Sequence, residues 1–160
     1  MDEIHYRKIS KDDRGWIAEF IRSRWGSEMV VVHGAVYHPA GLEGFVAGNE
    51  KENVGLVTYK IENDSCEIVT LDAIIENKCI GSNLVTLVLK EAKSTGCKKV
   101  WLITTNDNIK AIYFYQKLGF QLVKIYPDAV ENSRKIKPGI PQTAENGLPI
   151  RDELEFEIII

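Results

Sequence analysis

The spacing of apolar residues near the start of the chain predicts an amphipathic helix. Apolar side chains recur there at intervals of three and four residues, the period of one helix face. These positions are Trp16, Ile17, Phe20 and Ile21. Ser10 is suited to cap this helix, because its hydroxyl can accept a hydrogen bond from an unpaired backbone N–H. Gly26 follows the predicted end of the helix near Trp25.

Short runs rich in β-branched and aromatic residues predict strands around this helix. They cover residues 5–9, 29–32, 36–37, 45–48 and 54–61. The two pieces on either side of His33 and Gly34 are expected to form a small hairpin. The polar segment 49–53 is expected to be the loop of a second hairpin. The run at 5–9 is predicted to be an edge strand.

The second half of the chain alternates strand and helix patterns. Residues 66–75 are apolar on both faces except at Glu67, Thr70 and Asp72, which is typical of a strand in the middle of a covered sheet. The remaining predicted elements are helices at 81–94 and 108–118 and strands at 100–104, 120–126 and 154–160. Residues 127–150 are predicted to be a long loop.

Composition and charge limit the classes of function. The 160 residues fit one domain spanning residues 1–160. The 20 basic and 23 acidic residues leave a net charge of −3, which argues against nucleic-acid binding because that needs a basic face. An acidic start and the lack of a long apolar run predict a cytoplasmic protein without a membrane partner. Cys66, Cys79 and Cys97 lack metal-ligand spacing, so reduced thiols and no metal are expected.

The turn after the predicted strand at 66–75 is suited to bind a phosphate. Backbone N–H groups in the first turn of a helix lack partners within the helix and lie at the positive end of its dipole. Gly81 and Ser82 are small enough to let a phosphate approach these groups. An ordinary strand-to-helix turn is the alternative, and this segment alone favours that alternative.

The next predicted helix carries three residues that share one face. Asn108, Ala111 and Tyr115 are spaced at i, i+3 and i+7, so an amide and a phenol lie on the same side with room between them. Taken alone, a tyrosine in such a position is more often a core residue than an acid.

The segment from Asn108 to Phe120, NIKAIYFYQKLGF, looks like the N-x-x-A-x-x-x-Y-x-x-x-G-F stretch of the GNAT superfamily of N-acetyltransferases. The turn at 76–81 resembles that superfamily's pyrophosphate loop, Q/R-x-x-G-x-G/A, at its last position. The resemblance covers roughly residues 45–126. It implies an α+β fold, an α/β/α sandwich whose mixed, mainly antiparallel central sheet has a splayed strand pair and flanking helices.

The resemblance also implies where acetyl-CoA would bind as cosubstrate. Backbone groups that would pair with the pantetheine amides belong to Leu71, Asp72 and Ala73, and amides that would hold the pyrophosphate belong to Asn77, Lys78, Cys79, Ile80, Gly81 and Ser82. Asn108 would hydrogen-bond the pantetheine arm, with Ala111 leaving room beside it. The Tyr115 hydroxyl would lie near the thioester sulfur.

The implied reaction is direct attack of a neutral amine on the thioester, without an acyl-enzyme. The backbone N–H near Leu71 would stabilise the oxyanion, and Tyr115 would protonate the departing thiolate. Glu67 is the candidate general base, because desolvation in an apolar strand would raise the pKa of its carboxyl. Asp72 is the second candidate. One alternative is a solvated Glu67 paired with a surface lysine. The other is a base formed by a water chain or another residue, as in many members of the superfamily.

Two positions of the turn depart from the family pattern. Cys79 stands where the family has its first loop glycine, and Glu76 where it has Gln or Arg. A Cβ at position 79 costs about 1 kcal/mol if the backbone there is left-handed. Glu76 places a negative charge beside an anionic ligand unless its side chain points away.

The acceptor is expected to be a primary amine of a small molecule or a protein. Segment 127–150 is predicted to cover the amine pocket, with Arg134 or Lys137 contacting an acidic group of the acceptor. A solvated basic patch or a homodimer contact is the alternative for these residues. Two other functions are left open, a non-catalytic acyl-CoA-binding module and a phosphate-binding α/β domain of other chemistry.

Overall fold

The computed structural model describes residues 3–76 and 78–160, so the expectation for Asn77 lies outside the described residues. The strands are β1 (His5–Lys8), β2 (Val30–Val32), β3 (Ala35–Tyr37), β4 (Glu43–Gly48), β5 (Asn53–Glu62), β6 (Ser65–Ala73), β7 (Lys99–Thr105), β8 (Gln121–Tyr126) and β9 (Glu153–Ile159). The helices are α1 (Arg14–Trp25), α2 (Ile80–Ser94), α3 (Ile109–Lys117) and α4 (Val130–Ile136).

Seven strands form one sheet in the order β1-β4-β5-β6-β7-β9-β8, and β2 and β3 form a separate hairpin. Among the neighbouring strands described, β6 and β7 run parallel and the others run antiparallel. The predicted α+β fold with a mixed, mainly antiparallel sheet and flanking helices is confirmed. The predicted edge strand and the small hairpin are confirmed as β1 and β2–β3.

Both faces of the sheet are covered. On one face, α1 buries Ile17 and Ile21 against residues such as Val46 and Leu56. On the other face, α2 and α3 pack on a larger apolar cluster that includes residues of β5, β6, β7 and β9. The two faces are called here the α1 face and the α2–α3 face. This two-sided burial explains why strand β6 reads as an almost continuous apolar run.

The start of α1 is held by a network that the sequence only partly predicted. Ser10 precedes a single 3₁₀ turn (Lys11–Asp13) that leads into α1. The buried carboxylate of Asp13 accepts a hydrogen bond from the backbone N–H of Ser10 at 2.7 Å and two from the guanidinium of Arg7, each at 2.7 Å. The helix ends at Trp25 as predicted, and Gly26 caps it with a left-handed backbone (φ 83°).

The parallel pair β6–β7 separates after three residue pairs. Pairing runs from Ser65–Lys99 to Glu67–Trp101. Both strands then continue, β6 to Ala73 and β7 to Thr105, while each stays paired to its other neighbour. The described backbone therefore contains a wedge within the sheet, where main-chain groups of β6 face an opening rather than a strand.

A β-bulge changes which side chains of β6 share a face. Thr58 pairs with Thr70 and Tyr59 with Ile68, so Val69 is an extra residue in β6. Side chains alternate along a regular strand, so residues 67 and 72, which are separated by an odd number of positions, would face opposite sides. The bulge at Val69 restores the same side. Glu67 and Asp72 consequently both contact elements of the α1 face, Tyr37 and Trp25 respectively.

The prediction of a long loop at 127–150 was wrong in part, because this segment contains α4. That helix has seven residues and buries only Val130 and Ser133, so its sequence has no clear apolar stripe. None of the helices described is both long and apolar enough to cross a membrane.

Candidate functional site

A cleft of about 440 Å³ opens where β6 and β7 diverge, between the start of α2 and the side of α3. It is lined by Arg24, Leu71, Asp72, Ala73, Gly81, Asn108, Lys110, Ala111, Phe114 and Tyr115. The predicted cofactor residues Lys78, Cys79, Ile80 and Ser82 lie in or just after the adjoining turn, outside this lining. Because the cleft reaches from Tyr115 on the α2–α3 face to Arg24 on α1, it passes through the wedge in the sheet.

One end of the cleft is formed by the beginning of α2. Helix α2 starts at Ile80, so its unpaired backbone N–H groups point toward this end. A Cβ on Gly81 would lie 3.3 Å from the Phe114 ring, so glycine allows the close approach of α2 and α3. The site thus combines a positive helix end with close packing between α2 and α3.

The backbone at Cys79 is left-handed, with φ 55° and ψ 20°. This is the conformation for which the sequence suggested an energetic cost, and the thiol itself is exposed. Position 79 therefore has a backbone conformation that favours glycine, but it carries a residue with a Cβ.

Replacing Cys79 with Gly is expected to raise the midpoint of thermal unfolding by about 3 °C, because a relief of about 1 kcal/mol corresponds to that shift in a domain of this size. Differential scanning calorimetry measures the effect. Cys79→Ala is the matched control, since it removes the thiol but keeps the Cβ, and it should leave the midpoint unchanged. An equal rise in both variants would trace the effect to the thiol and contradict the backbone explanation.

Glu76, at the turn before α2, forms an ion pair with a residue of α3. Its carboxylate pairs with the ammonium of Lys110 at 3.1 Å, and both side chains are exposed. Lys110 also lines the cleft. The negative charge of Glu76 is thereby neutralised by a cation that belongs to α3.

Asn108 caps α3 from the cleft side. Its side-chain oxygen accepts a hydrogen bond from the backbone N–H of Ala111 at 3.2 Å. This bond orients the amide, so the NH₂ group is the part of Asn108 that can donate to a ligand. Both residues line the cleft, as the helix spacing predicted.

Tyr115 is buried at the inner end of the cleft, with 6% of its surface exposed. Its ring packs edge-on against Phe114 and Phe120, at centroid distances of 5.0 and 5.4 Å. Burial and, to a smaller extent, the negative charge of Asp72 raise the pKa of the Tyr115 phenol above its ordinary value. The raised pKa means that Tyr115 keeps its proton at neutral pH, so its hydroxyl can donate a hydrogen bond.

Asp72 lines the cleft and its side chain lies on the α1 face. Its carboxylate accepts a hydrogen bond from the indole N–H of Trp25 at 3.1 Å and lies 3.6 Å from the guanidinium of Arg24. Burial raises the pKa of Asp72, while Trp25 and Arg24 lower it. This polar group connects the end of α1 with the end of β6.

Glu67 sits at the vertex of the wedge and does not line the cleft. Its carboxylate is buried, with 6% exposed, and accepts a 2.6 Å hydrogen bond from the Tyr37 phenol. Burial raises the pKa of Glu67, whereas the hydrogen bond from Tyr37 lowers it. Glu67 lines a separate pocket of about 290 Å³ on the α1 face, together with Lys60, Trp101 and Glu155. The solvated, lysine-paired alternative does not describe this residue.

Arg134 and Lys137 bond main-chain carbonyls, and the predicted contact of either residue with an acidic group of the acceptor stays a prediction. The Arg134 guanidinium donates to the backbone carbonyls of Pro141, at 2.8 Å, and Ile150. The Lys137 ammonium donates to the carbonyls of Trp25 and Met29, at 2.9 and 3.0 Å. Both cations therefore help to hold segment 137–150 and α4 in place through their bonds to main-chain oxygens.

Sequence reasoning missed three residues of the cleft. Lys110 and Phe114 lie within the motif of α3 and are four positions apart, so they form a stripe next to that of Asn108, Ala111 and Tyr115. A helical projection of this segment would have suggested them. Arg24 arrives from α1, and no local pattern in the sequence places α1 beside α3.

Comparison of the sequence with known protein families identifies the class of protein to which this chain belongs. Residues 12–120, more than half of the chain, match the sequence model of the acetyltransferase (GNAT) family, and the chain belongs to that family. The uncharacterized protein YdhI of Bacillus subtilis (strain 168) is 44% identical over 145 residues, which are 90% of this chain and 91% of that relative.

Solved structures share the fold. A Bacillus subtilis acetyltransferase in complex with CoA superposes with a TM-score of 0.67 at 20% identity, covering 100% of this chain and 99% of that one. A GNAT family acetyltransferase from Elizabethkingia anophelis with acetyl-CoA bound gives 0.68 at 21% identity, covering 100% of both chains. The match to the family model confirms the predicted family. The solved structures, together with the wedge between β6 and β7, confirm the predicted architecture of the sheet.

Proposed function

We propose that this chain transfers the acetyl group of acetyl-CoA to a primary amine. The observation that carries the proposal is the cleft that passes through the sheet at the wedge, with a helix N-terminus at one end and a buried phenol at the other. The match to the acetyltransferase family supports acetyl transfer as the reaction class. The two similar structures that contain CoA or acetyl-CoA support the choice of acetyl donor.

In the proposed complex the donor lies along the cleft. The backbone N–H groups of the turn from Lys78 to Ser82 hold the pyrophosphate at the start of α2, where the helix dipole favours an anion. The amides of pantetheine pair with main-chain groups of β6 that face the wedge near Leu71 and Ala73. The side-chain NH₂ group of Asn108 donates a hydrogen bond to the pantetheine arm. The thioester sulfur lies near Tyr115.

In the proposed reaction the amine approaches from the α1 face and attacks the thioester carbon directly. Glu67 removes its proton, since burial keeps the pKa of this carboxyl above its ordinary value and places it closer to the working pH of a base. The backbone N–H near Leu71 stabilises the developing oxyanion. The Tyr115 hydroxyl donates to the departing sulfur as the C–S bond breaks.

A coupled assay tests the proposal. Purified protein with acetyl-CoA should release free thiol when a panel of amines, polyamines, amino acids, aminoglycosides and peptides is supplied, and mass spectrometry should find the N-acetylated product. CoA should bind in preference to a nucleotide. Tight CoA binding with no thiol release from any amine would instead identify an acyl-CoA-binding module, and equal binding of CoA and nucleotide would identify other phosphate-binding chemistry.

A further inference from the structure

A second pocket on the α1 face lies next to the cleft and is assembled largely by segment 130–153. Its volume is about 240 Å³, which is below the ~300–1,000 Å³ typical of sites for drug-sized ligands. Its walls are mainly apolar, with contributions from Trp25, Val31, Val130, Ile140 and Ile150. We call it the α4 pocket, and its size restricts it to small molecules or single side chains.

The wall of the α4 pocket is preformed. Arg134 fixes the backbone of Pro141 and Ile150, and Lys137 ties the end of α4 to the end of α1. Asn106 adds a third clamp, because its side chain bonds the backbone of Pro149, Arg151 and Asp152 at 2.9 to 3.0 Å. A ligand therefore meets a fixed surface, and little ordering of the segment is needed for binding.

The α4 pocket has two charged residues in its lining, the buried carboxylate of Glu153 and the ammonium of Lys137. Glu153, with 3% of its surface exposed, lines the pocket. Its two oxygens accept hydrogen bonds from the backbone N–H of His33 at 2.8 Å and contact Nδ1 of the same residue at 3.2 Å. A carboxylate has about four acceptor positions, so further positions remain for a ligand. Two of the three Lys137 N–H donors, by contrast, already bond backbone carbonyls.

Trp25 connects the α4 pocket with the cleft. Its indole is part of the pocket wall, and its N–H donates to Asp72, which lines the cleft. Trp25 therefore lies between the Glu153 side of the pocket and the Asp72 side of the cleft, and an occupant that reaches both sides has to pass along its indole.

Resting on the proposed acetyl transfer, we propose that the α4 pocket binds the acceptor, and that the acceptor is a small α,ω-diamine or amino alcohol. Its apolar chain packs against Trp25 and Ile140, and its distal ammonium or hydroxyl donates to Glu153. Its other end, the reactive amine, passes Trp25 to reach the thioester in the cleft.

Three amines of equal chain length test this proposal: pentylamine, its α,ω-diamine analogue and the corresponding ω-amino acid. Calorimetric titration of the CoA-saturated protein measures binding, and thiol release measures transfer. The diamine should bind at least about tenfold more tightly than pentylamine, as expected for one hydrogen bond to a charged group. Preferred binding of the ω-amino acid, or binding of none of the three, would overturn the proposal.

Two substitutions with a matched control locate the effect. Glu153→Gln should reduce the preference for the diamine to about threefold or less. Ile140→Trp should fill the pocket and weaken both pentylamine and diamine, whereas Ile136→Trp, on the exposed end of α4 outside the pocket, should weaken neither. Unchanged binding in Ile140→Trp would overturn the proposal even if Glu153→Gln fails to fold.

Different results would contradict acetyl transfer by this chain and acceptor binding in the α4 pocket. Acetyl transfer to all three amines without discrimination would remove the α4 pocket from the mechanism and leave the proposed function intact. Discriminating binding without thiol release would support the pocket and contradict the proposed function.

Discussion

Replacing Tyr115 with Phe is expected to lower kcat for acetyl transfer by about 100-fold while leaving the CoA dissociation constant within about threefold, the pattern of a donor that acts on charge developing in the transition state. Phe retains the ring that packs against Phe114 and Phe120, so the substitution removes only the hydroxyl. Because burial and Asp72 keep the pKa of this phenol high, the wild-type hydroxyl is protonated throughout the neutral range. Steady-state rates at saturating acetyl-CoA and calorimetric CoA titration measure the two quantities.

Tyr113→Phe is the matched control for this experiment. Tyr113 belongs to the same helix but is 66% exposed and lies outside the cleft, so its loss should change neither quantity. If Tyr115→Phe keeps the wild-type kcat, the phenol has no role at the sulfur. If both variants lose activity equally, the effect comes from the stability of α3.

Replacing Glu67 with Gln is expected to lower kcat/KM for the amine by about 100-fold at neutral pH, the usual contribution of a positioned general base. The amide can still accept the hydrogen bond from Tyr37, so the hairpin contact is preserved while the base is removed. In the wild type, activity should be present above the pKa of Glu67 and fall as the pH drops through it. Since burial raises this pKa, the fall should occur above the ordinary glutamate value of about 4.3.

Two further variants assign the base. Tyr37→Phe removes a hydrogen bond that lowers the pKa of Glu67, so the acid limb of the pH profile should move to higher pH. Asp72→Asn should affect kcat/KM much less than Glu67→Gln. If instead Asp72→Asn abolishes activity and Glu67→Gln preserves it, the proton is taken by Asp72. An unmoved acid limb in Tyr37→Phe would separate Glu67 from the pH dependence.

The parts of the site that the sequence predicted are those built from neighbouring residues. Asn108, Ala111 and Tyr115 lie on one face because helical spacing alone requires it, and Gly81 follows the strand that ends at the cleft. The left-handed backbone at Cys79 could likewise be suspected from the glycine that the family carries there. These features depend on a few consecutive residues, and tertiary packing does not change them.

The parts that the sequence did not predict depend on distant residues. The bulge at Val69, which places Glu67 and Asp72 on one face, arises from the register between β5 and β6. The contact between Trp25 and Asp72 joins residues from different elements. Helix α4 is short and polar. It is stabilised by the hydrogen bonds of Arg134 and Lys137 to distant carbonyls, so no apolar stripe in its sequence reveals it.

The hairpin β2–β3 has a mechanical consequence for the divided sheet. Tyr37 at one end is bonded to Glu67 of β6, and His33 at the other is bonded to Glu153 of β9, so the hairpin spans both halves. The strand pairing between those halves is limited to three residue pairs in the described structure. The hairpin thus links the two halves of the sheet and limits how far β6 and β7 can separate at the wedge. A bulkier thioester would have to fit without moving these strands apart.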